Sequence, residues 1–418
     1  MSDGLQQAVI FALGKDDDDS SIKELCRLLD TAGAVCVETF IQNASPEAKT
    51  YIGSGKAKEI ALYCDANEID LAVCNDELSP SQIKNLEDIM EGVEVIDRSM
   101  LILEIFKKHA VSGEGKLQVE IAQLRYTVPR LIGKGAQLSR QGGGGGGGGG
   151  ARRGAGETKL ETDRRHVKHR IEYLNQQLEE LERTTNLKRN SRQRSGIPLV
   201  AIAGYTNAGK STLLNHLTGA GILAEDKLFA TLDTTTRKFT LPEGKEILLT
   251  DTVGFIQNLP HHLIKAFRST LDEVKYADAI IIVADASDEN CIAQLEVSEK
   301  LLAELSAGDK PTLYVFNKCD IATDFPTELL QTKFTQSVKI SAKTGEGTEN
   351  FVKALEELVF GNVKTLRFLF SHSEGAWLNR IYKEAKVLDV EYTERGTLVV
   401  AEISGNKISY FSKFICEE

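Results

Sequence analysis

The residues best suited to chemistry in this chain lie in one short loop that could hold phosphate groups. The loop has the pattern G-x-x-x-x-G-K-S; an apolar run that predicts a buried strand (199–203) precedes it, and a predicted helix (212–217) follows. Glycines let the backbone N–H groups face the phosphates, and the helix N-terminus adds partial positive charge. We expect the Lys210 amine to reach the β- and γ-phosphates and the Ser211 hydroxyl to bind Mg²⁺. The predicted loop consists of Gly204, Tyr205, Thr206, Asn207, Ala208, Gly209, Lys210 and Ser211.

Three later segments, each at the end of a predicted strand, favour GTP over ATP as the nucleotide. Asp251 could hold Mg²⁺ through water, and Gly254 leaves a backbone N–H free for the γ-phosphate. Asp320 could accept two hydrogen bonds from guanine, whereas adenine would leave this carboxylate unpaired. The order of the segments predicts an enzyme that hydrolyses GTP to GDP and phosphate, with Lys210 and Gly254 among its catalytic groups. The segments are Asp251-Thr252-Val253-Gly254, Asn317-Lys318-Cys319-Asp320 and Ser341-Ala342-Lys343, the last of which could meet the guanine oxygen through its backbone.

A threonine-rich segment between the loop and Asp251 predicts a nucleotide-sensing switch. A threonine hydroxyl here would complete the Mg²⁺ shell only while the γ-phosphate is present, which would make the segment an order–disorder switch. The spacing does not decide which threonine binds, and the alternative is a solvated polar loop. The segment begins with Phe229, Ala230, Thr231, Leu232 and Asp233 and continues through three more threonines.

Two residues bear on the rate of hydrolysis. Phe255 follows Gly254 at a position where many regulatory GTPases carry a water-orienting glutamine. Phe cannot orient water by hydrogen bonding, so we predict slow intrinsic hydrolysis that a partner stimulates. The amide oxygen of Asn207 could bind a monovalent cation such as K⁺ beside the phosphates. An asparagine that only stabilises the loop is the alternative.

Composition indicates a protein of several domains that works in the cytoplasm. A chain of 418 residues is too long for one ordinary core, and 41% apolar with 27% charged residues is typical of globular proteins. The seven cysteines occur singly, which indicates reduced thiols. The N-terminus lacks a signal-peptide pattern, and the longest apolar runs have strand length, so we expect no membrane span. We also expect a monomer.

The pattern of elements predicts four domains. Residues 1–112 alternate strands with helices and predict a small parallel α/β domain. Residues 113–195 predict a helical hairpin, 196–361 a P-loop GTPase domain, and 362–418 a small α+β domain with β-α-β-β order. Expected strands of the first domain are 8–13, 34–41, 71–74 and 93–96, and its expected helices are 20–32, 56–66 and 79–90. In the last domain we expect strands at 366–370, 397–403 and 407–411 and a helix at 375–385.

Two heptad seams in residues 113–195 predict an antiparallel hairpin of about 30 Å whose loop is rich in glycine. Pro129 is expected to kink or interrupt its first arm. Residues 142–150 are all glycine, and no acidic residue occurs between Glu120 and Glu157. This basic tip suits structured RNA, although a solvated helix face with a linker is the alternative. The seams are Leu117, Ile121, Leu124, Val128, Leu131 and Val167, Ile171, Leu174, Leu178, Leu181, and the basic tip comprises Arg130, Lys134, Arg140, Arg152 and Arg153.

These segments together resemble the HflX family of bacterial translation-factor-class GTPases. The resemblance rests on the phosphate loop, on the motifs at 228–233 and 251–256, and on upstream motifs at 78–82, 115–120 and 156–165. It implies a protein that binds the large ribosomal subunit, including ribosomal RNA, with its hairpin loop near the peptidyl-transferase region, and that splits ribosomes. It also implies Ser211 and Thr231 as the Mg²⁺ ligands. The alternatives are a GTP-regulated RNA chaperone acting on free RNA and a regulatory GTPase acting on proteins.

Overall fold

Three β-sheets follow one another along the chain, with four, six and three strands. The first two carry the parallel strands expected of an α/β protein, and the third is antiparallel. The computed structural model describes residues 5–14, 19–141, 153–219, 228–229, 234–242, 244–257, 260, 263, 267–322, 334, 336–361, 364–403, 408 and 410–416.

The first sheet is parallel and has helices on both faces. Its strands lie in the order β2-β1-β3-β4, and the central strands are almost wholly buried and apolar, as expected for a sheet covered on both sides. Ser79 begins α3 with a capping box shared with Gln82. The predicted strands and helices of this region are confirmed, but α4 was not predicted. The elements are β1 (Gln6–Leu13), α1 (Asp19–Ala32), β2 (Ala34–Gln42), α2 (Ser54–Ala66), β3 (Leu71–Cys74), α3 (Pro80–Ile89), β4 (Glu94–Asp97) and α4 (Arg98–His109).

Two long helices, α5 (Gly113–Gln141) and α6 (Arg153–Ser195), form the predicted hairpin. Ile121 and Leu174 are the most buried described members of the two seams. A second side of α5, with Val119, Ala122 and Tyr126, packs into the core that α1 and α4 share. The hairpin is therefore fixed at its base to the first sheet.

The predicted interruption at Pro129 is wrong, because α5 runs through this residue as one helix. Proline removes a backbone donor and disturbs the carbonyls of the preceding turn. The carbonyl that loses its donor is that of Arg125. Two neighbouring carbonyls accept side-chain donors: the Thr127 hydroxyl donates to the carbonyl of Gln123 at 2.7 Å, and Arg130 Nη1 donates to that of Tyr126 at 2.6 Å.

The second sheet carries the phosphate loop. Its order is β10-β9-β8-β5-β7-β6, and only the edge strand β6 is antiparallel to its neighbour. The central strand β5 is flanked by β7 and β8, so the loop leaves the middle of the sheet at its carboxyl edge, where ligands of such sheets bind. The elements are β5 (Leu199–Gly204), α7 (Lys210–Thr218), β6 (Thr235–Thr240), β7 (Glu246–Asp251), α8 (Arg268–Tyr276), β8 (Ala279–Asp285), α9 (Cys291–Glu304), β9 (Thr312–Asn317), β10 (Ser337–Lys339) and α10 (Thr348–Phe360).

The third sheet is small, antiparallel and ordered β11-β13-β12. The predicted β-α-β-β order is present, but one strand was misassigned. Ile408, Tyr410 and Phe411 are helical, and the missed strand β12 is an edge strand with mostly polar, exposed residues. Trp377 packs on Phe411 and Phe414 at centroid distances of 5.9 and 5.4 Å, as expected for a core side chain. The elements are β11 (Lys364–Phe370), α11 (Gly375–Glu384), β12 (Lys386–Thr393), β13 (Gly396–Ile403) and a 3₁₀ turn (Ser412–Phe414).

Within the described ranges, every helix is too short or too polar to cross a membrane.

Candidate nucleotide-binding site

The phosphate loop joins β5 to α7 and depends on two glycines that no other residue could replace without strain. Gly204 has φ +138°, and a Cβ there would lie 2.1 Å from the Val283 carbonyl oxygen. Gly209 has φ +94°, and a Cβ there would lie 2.2 Å from Asn317 Nδ2. Both backbone conformations lie in the region that favours glycine, and both glycines lie against neighbouring segments of the site.

Lys210 and Ser211 open α7 and point back over the loop. The Lys210 amine is buried and donates to the Tyr205 carbonyl at 2.7 Å. Burial lowers the pKa of Lys210 to about 8. The Ser211 hydroxyl donates to Asp251 Oδ2 at 2.7 Å. A hydroxyl beside a buried carboxylate is the kind of oxygen set that binds Mg²⁺ with the help of water and phosphate.

The segment after β7 lies directly against the phosphate loop. Thr252 donates to the Ile202 carbonyl through its hydroxyl at 2.8 Å. The N–H of Phe255 donates to the Gly204 carbonyl at 3.0 Å, and the N–H of Thr206 donates to the Phe255 carbonyl at 2.8 Å. Gly254, between them, is so close that a Cβ would lie 3.0 Å from the Lys210 amine.

Asn317 connects the phosphate loop to the segments predicted to read the base. Its Nδ2 donates to the Ala208 carbonyl at 2.8 Å, and its Oδ1 accepts from the Ala342 N–H at 2.8 Å. Ser341 and Ala342 are buried, whereas Asp320 and Lys343 are exposed at the rim. Guanine recognition by Asp320 and the backbone of residues 341–343 stays a prediction.

Lys318 and Cys319 lie beneath this rim. Lys318 has φ +63°, and its amine pairs with Asp285 at 2.6 Å. The Cys319 thiol donates to the Phe316 carbonyl at 3.2 Å. Both side chains are half-buried, and their contacts help to shape the turn that carries Asp320.

The predicted switch is only partly described. Phe229 is buried, has φ +56° and packs edge-on against Phe106 of α4 at 4.7 Å. The N–H of Leu228 donates to the Thr31 hydroxyl of α1 at 3.2 Å. The switch therefore begins in contact with the first sheet's helices. Ala230, Thr231, Leu232 and Asp233 lie outside the described residues.

The structure adds residues that the sequence did not indicate. Tyr205 donates to Glu24 of α1, and Arg98 of α4 pairs with the same carboxylate. Arg98 also reaches the carbonyl of Gln257 at 3.3 Å. A buried tyrosine hydroxyl needs a partner, which was the only available signal, because these contacts join residues 74 to 181 positions apart.

Three family models match the chain in succession. They are described as GTP-binding GTPase N-terminal (residues 19–107), GTP-binding GTPase Middle Region (109–192) and 50S ribosome-binding GTPase (199–318). The chain is also similar to a solved structure, that of SsGBP in complex with GDP, with 27% identity and a TM-score of 0.50 over 85% of this chain and 98% of that one.

Curated relatives match over nearly the whole length. GTPase HflX of Caldanaerobacter subterraneus is 45% identical over 96% of this chain and 91% of its own. GTPase HflX of Escherichia coli is 38% identical over 96% of this chain and 94% of its own. Both relatives are named as GTPases, the activity that the sequence predicts. The chain therefore belongs to the HflX family of GTPases.

Proposed function

We propose that this GTPase binds the large ribosomal subunit in its GTP-bound state, splits or rescues ribosomes, and leaves after hydrolysis that the subunit stimulates. The match of residues 199–318 to the 50S ribosome-binding GTPase family supports a ribosomal partner. The observation that carries the proposal is the contact between the nucleotide site and α4, the helix that packs against the hairpin. Arg98 of α4 donates to the Gln257 carbonyl at 3.3 Å, and residues of α4 and α5 share one core. A change at the nucleotide therefore acts on an element that packs against the base of the hairpin.

In the proposed site, a few residues bind the phosphates, the guanine base and the cations. Lys210 and the Gly254 N–H bind the phosphates, and Asp320 with the backbone near Ala342 reads guanine. Ser211 and Thr231 would hold Mg²⁺, which the family generally uses and which neutralises phosphate charge when bound. Ser211 already lies beside Asp251 in the structure. Asn207, with φ +60°, would offer its amide oxygen to K⁺.

The RNA contact is proposed for the loop end of the hairpin. The side chains of Lys134, Arg140, Arg152 and Arg153 lie outside the described residues. Arg130 does not belong to this group, because it pairs with Asp97 at 3.3 Å and stacks on the Tyr126 ring. The remaining basic residues would contact RNA phosphates, with the glycine run permitting close approach.

Charge substitution at the tip tests this contact. Replacing Arg140, Arg152 and Arg153 by Gln should weaken binding to large subunits and reduce the slope of log K against log salt by about 2–3. The matched control replaces Arg164 and Arg165, two exposed arginines farther down α6, and should change the slope less. An unchanged slope in the tip variant would remove the basic tip from the proposal.

Ribosome splitting is tested by a separate assay. Intact ribosomes incubated with the protein and GTP should dissociate into subunits, as measured by light scattering. Binding to naked RNA without any effect on ribosomes would favour the RNA chaperone instead.

A further inference from the structure

Two residues from distant parts of the chain, Tyr205 and Arg98, bond the backbone of Gln257, three residues after Gly254. The Gln257 N–H donates to the Tyr205 hydroxyl at 2.7 Å, and its carbonyl accepts from Arg98 Nη2 at 3.3 Å. The Tyr205 hydroxyl in turn donates to Glu24, and Arg98 pairs with the second oxygen of Glu24. The Gln257 carbonyl is thus held by the buried Glu24–Arg98 ion pair directly, and its N–H is held by the same pair through the Tyr205 hydroxyl.

The pair is built rigidly into the helices of the first sheet. Glu24, Arg98 and Tyr205 are 8%, 2% and 6% exposed. Arg98 Nη1 is fixed from the other side by the Asn75 side chain at 3.0 Å. Burial and the Glu24 carboxylate raise the pKa of Tyr205, which keeps its hydroxyl protonated as the donor to Glu24. A paired, anchored charge of this kind holds its partners in one geometry.

The held segment lies against the groups to which the γ-phosphate is assigned. Its backbone bonds to Gly204 and Thr206 keep Gly254 against the loop, where a Cβ would meet the Thr206 methyl at 2.7 Å and the Lys210 amine at 3.0 Å. In the proposed site the γ-phosphate binds both the Lys210 amine and the Gly254 N–H. Gly254 must therefore withdraw before GTP is fully bound, whereas GDP makes no such demand.

We propose that Glu24 and Arg98 are positioning residues of the nucleotide switch, which hold Gln257, and with it Gly254, in the position that favours GDP over GTP. The proposal rests on the assigned roles of Lys210 and Gly254 but not on ribosome binding. These two side chains, which lie outside the GTPase sheet, thus set the ratio of GTP affinity to GDP affinity. A ligand shifts such a balance only through its different contacts in the two positions.

The same pair lies next to the base of the hairpin. Arg98 is the first residue of α4, and its neighbour Asp97 accepts from Arg130 of α5 at 3.3 Å. Withdrawal of Gln257 would free one donor of Arg98, one residue from the ion pair that holds α5. This contact path is physical adjacency, and the proposal does not rest on coupling along it.

The test compares affinities for labelled GDP and a labelled non-hydrolysable GTP analogue, using the full-length protein alone with Mg²⁺. Glu24→Gln keeps the size of the side chain but removes its charge. The ratio of analogue affinity to GDP affinity should rise about two- to tenfold, the range expected for losing one or two hydrogen bonds. An unchanged ratio would overturn the proposal.

Tyr205→Phe is the milder variant, because it removes one hydroxyl and leaves the buried ion pair intact. It should raise the ratio in the same direction. In the double variant the two effects should be less than additive, since both act on the Gln257 peptide. Full additivity, or a rise in neither single variant, would show that Glu24 does not act through this contact.

Arg27→Gln is the matched control. Arg27 lies on α1 near Glu24 and pairs with Asp288 at 3.8 Å across the same interface, without a contact to residues 254–257 among those described. Its affinity ratio should stay unchanged. A rise equal to that of Glu24→Gln would mean that any loosening of the interface has the effect, and would refute the specific role of the pair. Because ribosomes are absent, this result is independent of the proposed ribosomal function.

Discussion

At the scale of single residues, the phosphate loop is shaped by glycines and by one buried amine. Two glycines with positive φ distinguish the cost of a steric clash from the cost of a strained backbone conformation. Gly204 has no room for a Cβ, whereas Gly219, with φ +63°, has nothing within 4 Å. Gly204→Ala should cost about 2–4 kcal/mol of unfolding free energy, and Gly219→Ala about 1 kcal/mol. Denaturant unfolding measures both, and equal costs would contradict the packing seen at Gly204.

The buried amine predicts a pH dependence of nucleotide binding. With a pKa of about 8, Lys210 is charged below that pH in the free protein and neutral above it. Phosphates need the charged form, so affinity must fall as pH rises. Between pH 7 and pH 8.5 the Kd for labelled GDP should increase about fourfold. Lys210→Arg stays charged throughout and should show no such trend, and a flat profile in the unaltered protein would be inconsistent with this burial.

Phe255 predicts slow turnover by the protein alone. Its ring is 1% exposed, and so it is part of the core and cannot orient an attacking water. Single-turnover hydrolysis should be slow alone and about 10³-fold faster or more with large subunits, the range known for partner-assisted GTPases. Fast hydrolysis without any partner would contradict this prediction.

Much of this site could be predicted from residue order alone. The loop, Asp251, Gly254 and Asn317 meet because strand ends of a parallel sheet share one edge, which is a local rule. Glu24 and Arg98 could not be predicted, because they reach the site only through packing of α1 and α4 against it. Neither residue lies in a local pattern that signals such contacts.

At the scale of elements, α4 and β12 are a helix and a strand that hydrophobic periodicity does not predict. Residues 101–106 of α4 are buried on nearly every side, so the apolar face that marks a helix is absent. In β12 the residues are mostly exposed, so this edge strand lacks a clear alternation of apolar and polar residues. The heptad seams of α5 and α6 predict the hairpin because one side of each helix faces the other helix.

Pro129 should lower the stability of the hairpin. The helix α5 already runs through this exposed position, so the proline contributes only its missing donor and its ring. Pro129→Ala should therefore stabilise the hairpin by about 1–3 kcal/mol. Thermal unfolding followed by circular dichroism would show a higher midpoint, whereas a lower one would mean that α5 needs its proline.

At the scale of the whole molecule, the chain joins a GTPase sheet, a first sheet whose helices contact the predicted switch, and a hairpin that packs on those helices. Phe106 of α4 packs on Phe229 at 4.7 Å and on Phe267 at 4.5 Å, so one aromatic side chain contacts both the start of the predicted switch and the residue before α8. Neighbouring residues of α4 share a core with α5. We propose that the state of the nucleotide sets the affinity of the hairpin for its RNA partner.

The most direct test is co-sedimentation of the full-length protein with purified large ribosomal subunits, empty, with GDP and with a non-hydrolysable GTP analogue, at one fixed salt concentration. We predict strong binding with the analogue and binding at least about tenfold weaker with GDP or without nucleotide, a difference typical of coupled sites. Equal binding in all three states would contradict the account.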